Sequence, residues 1–317
     1  MKASVAICTH NGAERLEAVL AALSLQTFDA SEWEVLVIDN ASTDETVQTA
    51  MAMFQRLFAG RGRVVNEPQL GLSYARARAA REAGGEIICF LDDDNIPAPE
   101  FVEAAVLAFV QHPKAGVLGG KVLPRWETLP TPLSEAVASF ALAICDEGEI
   151  ARQNNVGGGG VVGAGMCVRR EVLRRIYESG TIASRVTGRT GKNLMGGEDL
   201  VISIKAKQLG WEIWYVPTLH IEHVIPARRM EKEYLLRLFE GIGRGQAAIR
   251  PMFDWKARTP AAWLIGFKDL GRWVIGCCRG PSSKLRGQCP LIASEVHCLQ
   301  QRQVWGRALQ AMRWGFG

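Results

Sequence analysis

The first hundred residues alternate between two hydrophobic patterns. Short apolar runs rich in β-branched residues, namely SVAIC, WEVLVID and EIICFL, are typical of buried strands. Between them lie segments whose apolar residues recur at helical spacing, for example from Ala13 to Leu25. An order of strand, helix, strand, helix predicts an α/β fold with a mostly parallel central sheet flanked by helices.

Polar groups follow three of the predicted strands at the point where each strand ends. The sequence reads THNG after the first strand, DNAS after the second and DDDN after the fourth. Ligands of parallel α/β sheets bind beyond the carboxyl ends of the strands. We therefore expect these three groups to line one edge of the sheet and to form a ligand site.

Three consecutive aspartates, Asp92, Asp93 and Asp94, end the fourth strand. Carboxylates of this kind bind Mg²⁺ or Mn²⁺, which prefer oxygen ligands from the protein and from substrate phosphates. The plain alternative is a solvated acidic turn. An EF-hand is excluded, because Ile96 stands where that loop needs Asp or Asn. The three aspartates thus favour a cation site.

Two further carboxylate positions are candidates for chemistry. Asp39 follows the apolar run VLVI, so it could accept hydrogen bonds from a ribose or a base. It could instead cap the next helix, a role for which Ser42 or Thr43 is also suited. Glu198 and Asp199 begin a helix after two glycines, and paired acids can include a general base. Taken alone, this pair is more typical of acids that complement a helix dipole.

The charge is unevenly distributed along a chain of ordinary globular composition, which is 48% hydrophobic and 22% charged. Residues 226–317 carry 16 Lys and Arg against 6 Asp and Glu, whereas the rest of the 317 residues carry 21 against 27. A basic tail on an acidic body predicts that the tail faces anions.

The tail also contains the tryptophan-rich segment AAWLIGFKDLGRWVIGCC. Its apolar residues recur at helical spacing, with Lys268, Asp269 and Arg272 between them, so it is too polar to span a membrane. It could lie in a membrane interface or pack as a core helix of a small C-terminal bundle. The eight cysteines form no CxxC pair, and no secretory signal opens the chain. These features favour a cytoplasmic location without a zinc site.

In their order and spacing, the motifs resemble those of family 2 glycosyltransferases of the GT-A fold. The resemblance covers residues 3–226 and is carried by SVAICTHNGAERLEAVLAALSLQ, WEVLVIDNASTDET, GLSYARARAA, EIICFLDDDNIPAPEFV, GAGMCVRREVL and GGEDLVISIKAKQLGWEIWYVPTLHIEH. It implies a GT-A glycosyltransferase domain over residues 1–226, followed by a basic, Trp-rich helical extension over residues 227–317.

The resemblance also implies roles for individual residues. Asp199, with Glu198 beside it, matches the catalytic base, while Asp94 and His223 match ligands of a Mn²⁺ or Mg²⁺ cofactor. The positions that match a nucleotide-sugar site are Thr9, His10, Asn11, Asp39, Asn40, Gly71, Arg76, Asp92, Asp93 and Gly165.

These roles imply an inverting transfer of a sugar from a nucleotide-diphosphate-sugar, above all a UDP-sugar, to a hydroxyl of a glycan or lipid-linked glycan. The basic tail would then meet the cytoplasmic face of a membrane, and no nucleic-acid partner is implied. Three positions depart from the family pattern. His10 replaces the usual aromatic residue, Gly12 a common basic residue and Ala77 a common Asn. These departures bear on which base is bound and leave the carboxylates in place.

Other protein classes fit the sequence less well. A sugar-1-phosphate nucleotidyltransferase would share the sheet and the cation, but it should carry a glycine-rich basic loop after the first strand, where this chain has THNGAE. An aspartyl phosphohydrolase could use FLDDDN, although that chemistry normally places its D-x-D motif on the first strand. A non-catalytic sugar-binding relative would lack the base or the metal ligand, whereas Asp199 and Asp94 are both present.

Overall fold

The computed structural model of the chain describes residues 1–154, 160–178, 188–190, 194–253 and 290–315. By its internal contacts the chain divides into two units. The first contains Met1–Arg125, Ala143–Thr187 and Glu198–Val224, and the second contains Trp126–Leu142, Gly188–Gly197 and Ile225–Gly317. The domain boundary expected between residues 226 and 227 stays a prediction, and the sequence did not indicate that Trp126–Leu142 would join the second unit.

Strands and helices alternate around one sheet in the first unit. The strands are β1 (Ala3–Thr9), β2 (Trp33–Asp39), β3 (Gly62–Asn66), β4 (Ile87–Asp92), β5 (Asn95–Pro97), β6 (Ala115–Trp126), β7 (Arg152–Gln153), β8 (Cys167–Arg169) and β9 (Glu212–Ile225). The helices are α1 (Ala13–Ser24), α2 (Thr46–Leu57), α3 (Leu72–Glu82), α4 (Phe101–Gln111), α6 (Arg170–Glu178) and α7 (Glu198–Gln208). Strands β6 and β9 each end one residue beyond this unit.

The sheet has a parallel half and an antiparallel half. Its strand order is β3-β2-β1-β4-β8-β6-β9-β5, and β7 pairs with β9. Strands β3, β2, β1 and β4 run parallel. Strand β8 is antiparallel to β4 and β6, and β5 and β7 are antiparallel to β9. The predicted α/β fold is confirmed, and its parallel half is the part that the strand and helix alternation indicated.

The core explains why these segments take these conformations. Strand β1 is buried along its whole length. Helix α1 turns four apolar side chains, Leu16, Val19, Leu20 and Leu23, into the same core. Full burial of each such side chain stabilises the fold by about 1.5–3 kcal/mol. The apolar periodicity therefore decides which face of each element points inward.

The register of the parallel strands aligns their carboxyl ends. Thr9 of β1 is paired with Asp39 of β2, and Asp39 is paired with Asn66 of β3. On the other side of β1, Cys8 is paired with Asp92 of β4. Because neighbouring strands lie about 4.8 Å apart, the residues that follow these positions share one edge of the sheet.

The start of α2 differs from the sequence expectation. Ser42 and Thr43 were candidates for its N-cap, but the helix begins at Thr46. The side chain of Asp44 accepts from the backbone N–H of Thr46 at 3.1 Å. Ser42 and Thr43 instead bond Asn11, which donates its N–H to Ser42 Oγ and accepts the N–H of Thr43 at Oδ1. The cap prediction is wrong because these two residues serve a contact between loops.

The described residues of the second unit are mainly helical. Its helices are α5 (Pro132–Ala141), α8 (Lys232–Phe253) and α9 (Pro290–Gly315). Helices α8 and α9 approach closely at glycines, since a Cβ on Gly243 would lie 1.9 Å from the carbonyl oxygen of Gln303. Among the described helices, none is both long enough and apolar enough to cross a membrane. The tryptophan-rich segment around Trp263 and Trp273 lies outside the described residues.

Candidate active site

The strand ends bring Asp93 into contact with β1 and α1. Thr9 Oγ1 donates to Asp93 Oδ2 at 2.5 Å. Arg15 donates from Nε to Oδ1 and from Nη2 to Oδ2, both at 2.9 Å, which makes a two-point ion pair. The hydrogen bond to Asp93 raises the pKa of Arg15 above its ordinary value. Sequence reasoning missed Arg15, although a basic residue one turn after THNG was a visible signal.

Gly12 leaves room for this contact. A Cβ at Gly12 would lie 2.1 Å from Thr9 Oγ1 and 2.4 Å from Asp93 Oδ2, which no real side chain tolerates. The N–H of Gly12 donates to Thr46 Oγ1 at 2.9 Å, and its carbonyl accepts from the N–H of Arg15 in the first turn of α1. The basic residue common in the family at this position would therefore displace the Thr9 and Asp93 side chains.

Asp94 meets His223 on the other side of the strand end. His223 Nε2 lies 3.5 Å from Asp94 Oδ2, and both side chains are buried. The backbone fixes this pair, because Asn95 of β5 is in register with His223 of β9 and the N–H of Val224 donates to the carbonyl of Asp94. Asn95 Nδ2 also donates to Asp94 Oδ1 at 3.0 Å. The structure thus brings together the two residues predicted as metal ligands.

The donor atoms of this pair suit a divalent cation. A carboxylate oxygen and an imidazole nitrogen are acceptable ligands for Mn²⁺. Within the described residues, no group of three or more His, Cys, Asp or Glu side chains could hold a metal by itself. A cation between Asp94 and His223 would therefore take its other ligands from water and from a bound phosphate, as Mg²⁺ and Mn²⁺ commonly do.

A buried arginine lies between the strand end and α7. Arg76 is 2% exposed, and its Nη1 lies 3.6 Å from Glu198 Oε1. Its guanidinium carbon lies 5.3 Å from the centre of the Phe90 ring. Burial by itself lowers the pKa of Arg76, but the carboxylates of Glu198, Asp92 and Asp199 outweigh burial and raise it. Arg76 therefore links the end of β4 to the paired acids of α7.

Asp199 is held at the start of α7 by backbone donors. Its Oδ2 accepts from the N–H of Gly163 at 3.0 Å, and its Oδ1 accepts from the N–H of Leu200 at 2.8 Å. A Cβ on Gly163 would lie 2.9 Å from Arg76 Nη2 and 3.3 Å from Asp199 Oδ2. The glycine therefore lets the backbone approach both side chains and fixes the orientation of the carboxylate.

The three consecutive aspartates thus turn toward three different partners. Asp93 bonds Thr9 and Arg15, and Asp94 faces His223. Asp92 acts electrostatically on Arg76. Neighbouring carboxylates would otherwise repel one another, so the separate partners explain how three can follow the apolar strand β4.

Several other predicted site residues hold the loops together. Asn40 donates from Nδ2 to the carbonyls of Glu67 and Gln69, at 3.1 and 2.8 Å, and its Oδ1 accepts from the N–H of Gly71 at 2.7 Å. His10 Nδ1 lies 2.9 Å from the carbonyl oxygen of Asn40. The amide of Asn40 therefore holds the loop that precedes α3, and its predicted contact with a nucleotide-sugar stays a prediction.

Two glycines and Asn11 adopt conformations with positive φ, in which most residues are strained. Gly71 has φ 143° and Gly165 has φ 72°. Asn11, with φ 51°, is a residue type that tolerates this region. Gly71 precedes α3 and Gly165 precedes β8, so each glycine determines how the backbone turns between a loop and the element that follows it.

Asp39 lines an open cavity of about 690 Å³. The residue as a whole is 7% exposed, and its carboxylate accepts from the N–H of Ser42 at 3.2 Å. The cavity is lined by Asp39, Ala41, Ser42, Val47, Met51, Val64, Asn66 and Pro68. It combines an apolar wall with one carboxylate, which is typical of small-molecule sites.

Comparison with known sequences identifies a family. A family model described as Glycosyl transferase family 2 matches residues 4–177. The chain is 25% identical over 248 residues to the glucosyl-dolichyl phosphate glucuronosyltransferase of Haloferax volcanii, a match that covers 74% of this chain and 73% of that protein. It is 32% identical over 119 residues to glycosyltransferase AglE of the same organism, covering 38% of each.

Solved structures agree on the fold. The mannosyltransferase PcManGT from Pyrobaculum calidifontis, in complex with GDP-Man and Mn²⁺, superposes with a TM-score of 0.60 at 18% identity, over 99% of this chain and 87% of that chain. Staphylococcus aureus TarS 1–349 in complex with UDP-GlcNAc gives 0.53 at 15% identity, over 99% and 91%. At these identities the likeness concerns the fold alone, and it confirms the predicted GT-A fold.

Proposed function

Because the chain belongs to glycosyl transferase family 2, we propose that it moves a sugar from a nucleotide-diphosphate-sugar to a hydroxyl of a glycan or lipid-linked glycan, with inversion and with a divalent cation. The observation that carries this proposal is the convergence of acids at one sheet edge. Asp93 bonds Thr9, Asp94 faces His223, and Arg76 joins Asp92 to Glu198 and Asp199.

The donor's nucleoside would lie beside Asp39. The carboxylate can accept a hydrogen bond from the N–H of a base or the O–H of a ribose, and the apolar wall of the cavity suits a planar ring. Two solved neighbours were determined with UDP-GlcNAc and GDP-Man. The family resemblance favours a UDP-sugar, and the N3–H of uracil would match the single carboxylate of Asp39.

Asp94 and His223 would hold the cation, which would offset the negative charge that develops on the leaving diphosphate. The protein's own part is to fix the two ligands. Strand pairing between β5 and β9 sets their backbones, and Asn95 Nδ2 holds Asp94 Oδ1. An orientation fixed in this way needs no rearrangement when the donor arrives.

Asp199 would act as the general base. The acceptor hydroxyl gives its proton to the Asp199 carboxylate while its oxygen bonds the anomeric carbon. The bond from that carbon to the diphosphate oxygen breaks on the opposite face, so the configuration inverts. Gly163 and Leu200 donate to Asp199, and these two hydrogen bonds fix the orientation of its carboxylate before the acceptor binds.

A substitution at Asp199 tests the catalytic assignment. We expect Asp199→Asn to lower kcat by about 10²- to 10⁴-fold, because the amide cannot take the proton. Folding should be retained, since an amide oxygen can still accept from Gly163 or Leu200. Glu178→Gln, which removes an exposed carboxylate from α6, is the matched control. A variant with kcat within twofold of the wild type would remove Asp199 from the mechanism.

The donor and the reaction class can be tested together. The full chain is screened against nucleotide-sugars by thermal shift with and without Mn²⁺, because a bound donor raises the melting temperature. Binders are then assayed for sugar transfer and for donor hydrolysis. Stabilisation by a nucleotide-sugar that depends on Mn²⁺ supports the proposal. Formation of pyrophosphate from a nucleoside triphosphate and a sugar 1-phosphate would favour a nucleotidyltransferase instead.

The basic C-terminal segment, residues 226–317, supports an acceptor at a membrane surface. Residues 226–317 carry 16 basic and 6 acidic side chains, and anionic headgroups attract such segments. The name of the Haloferax volcanii relative, glucosyl-dolichyl phosphate glucuronosyltransferase, includes a lipid phosphate. Flotation of the full chain with anionic vesicles but not with neutral ones would support this part of the proposal, and equal flotation with both would contradict it.

A further inference from the structure

Arg15 forms a two-point ion pair with Asp93, and neither the sequence motifs nor the roles implied by the family resemblance explain this contact. Its guanidinium binds both oxygens of Asp93 at 2.9 Å, and the side chains are 30% and 11% exposed. Its Nη2 also donates to the carbonyl of Asn11 at 3.1 Å. Arg15 is therefore anchored to the strand end and to the loop that follows β1.

Arg15 and Thr9 together decide which way Asp93 can bind a ligand. An ionised carboxylate offers about four acceptor positions. Arg15 Nη2 and Thr9 Oγ1 both use Oδ2, and Arg15 Nε uses Oδ1. One acceptor position on Oδ1 is left for a further donor. A ligand hydroxyl would thus meet Asp93 in a single fixed direction.

The geometry depends on Gly12 as much as on Arg15. A Cβ at Gly12 would collide with Thr9 Oγ1 and Asp93 Oδ2. Gly12 is the residue directly before α1, and its carbonyl accepts from the N–H of Arg15 in the first turn of the helix. The orientation of Asp93 therefore depends on both residues: Gly12 leaves space for its carboxylate, and Arg15 binds it.

We propose that Arg15 is a positioning residue for donor binding, which orients Asp93 so that one oxygen of its carboxylate accepts a hydrogen bond from a ribose hydroxyl of the nucleotide-sugar. This inference rests on the proposed function. Arg15 acts through Asp93 and takes no part in the bond-breaking step. It should therefore affect donor affinity more than turnover.

The first test compares three variants. Arg15→Gln should raise the KM for the donor and the Kd for UDP, measured by calorimetry with Mn²⁺, by about 10- to 100-fold, the size expected for charge-assisted hydrogen bonds. Its kcat should change less than fivefold. Arg15→Lys keeps the positive charge but cannot bind both carboxylate oxygens of Asp93 in the planar geometry of a guanidinium, so it should recover only part of the affinity. Arg56→Gln removes an exposed arginine paired with Glu17 and is the matched control.

The second test asks whether Arg15 acts through Asp93. If it does, the effects of the two substitutions should not be additive. In a protein that already carries Asp93→Asn, Arg15→Gln should raise the Kd for UDP by less than about twofold. Gly12→Ala should reproduce the affinity loss of Arg15→Gln. Equal fold-losses from Arg15→Gln in both backgrounds would overturn the inference, as would wild-type affinity in Arg15→Gln. A lowered Tm in both Arg15 variants, with a fold-loss in kcat as large as the fold-rise in KM, would indicate a purely structural role and would also overturn the inference.

Different results would contradict the inference about Arg15 and the proposed function. If no nucleotide-sugar is transferred by the wild type, the proposed function fails, and UDP binding still decides the role of Arg15. If the wild type transfers sugar and Arg15→Gln behaves as Arg56→Gln, only the inference fails.

Discussion

The buried arginine at the centre of the site gives the sharpest prediction about stability. Arg76→Met keeps an unbranched apolar side chain at this position and removes the guanidinium that lies over Phe90 and next to Glu198. The two partners are 2% and 8% exposed, with Arg76 Nη1 3.6 Å from Glu198 Oε1. The substitution would leave Glu198 buried without that cation, and Asp92 and Asp199 would lose it as well.

The expected loss in the free energy of unfolding follows from the burial of the Arg76–Glu198 ion pair. Removing one partner of a buried ion pair costs about 3–5 kcal/mol, because the remaining charge is desolvated without compensation. Arg76 Nε and Nη1 are buried and make no hydrogen bond to any residue that the structure describes. Their removal takes away a desolvation penalty, so we expect the lower end of the range, about 3 kcal/mol. Arg76→Met combined with Glu198→Gln should recover at least about 1 kcal/mol of that loss, since no buried carboxylate then remains at position 198.

Urea denaturation followed by tryptophan fluorescence measures these differences. The control is Arg56→Gln, whose pair with Glu17 is 62% and 63% exposed and should contribute less than about 1 kcal/mol. The reasoning is refuted if Arg76→Met costs no more than Arg56→Gln. It is also refuted if the double variant is no more stable than Arg76→Met, because the cost would then come from packing and not from charge.

Three further predictions test other parts of the molecule. Asp94→Asn should abolish the part of the UDP-induced rise in Tm that depends on Mn²⁺, and a rise as large as in the wild type would contradict the ligand assignment. Burial raises the pKa of Cys8 to about 12 from 9.0. The unfolded chain therefore loses this proton first, and the free energy of unfolding should fall by about 1.4 kcal/mol per pH unit above pH 9. Cys8→Ala should flatten this slope in pH-dependent denaturation, whereas Cys298→Ala, at an exposed thiol, should leave it unchanged. A Cβ on Gly120 would lie 1.8 Å from the carbonyl oxygen of Leu219, so Gly120→Ala should cost about 3 kcal/mol or more, while Gly196→Ala, with nothing within 4 Å, should cost less than about 1 kcal/mol.

The parts of the fold that could be predicted are those that local patterns encode. Apolar runs mark the buried strands, and parallel strands place their carboxyl ends together. The polar groups after β1, β2 and β4 could therefore be assigned to one edge before any coordinates were known. The register of Thr9 with Asp39 and of Cys8 with Asp92 bears out that reasoning.

The parts that could not be predicted depend on contacts between distant residues. Arg15 and Asp93 are 78 positions apart, so nothing in the sequence near either one indicates their pairing. Ser42 and Thr43 fit an N-cap in composition, but Asn11 uses both from more than thirty positions away. The amide of Asn40 is likewise committed to a loop 27–31 positions further along. In each case a long-range hydrogen bond outweighs a local preference.

The charge balance of the site gives a physical reason to expect that the proposed nucleotide-sugar donor needs a cation. Asp92, Asp93, Asp94, Glu198 and Asp199 are five carboxylates, and the contacts described above set two guanidinium groups against them, those of Arg15 and Arg76. A nucleotide-diphosphate-sugar brings further negative charge, which would be repelled in a partly buried site where screening by salt is weak. Arg15 and Arg76 are each already engaged with a carboxylate, so neither can compensate the diphosphate without giving up its partner. A divalent cation held by Asp94 and His223 would offset the surplus next to the phosphates. We therefore expect the donor to bind together with its cation, with an affinity that falls steeply when the cation is removed.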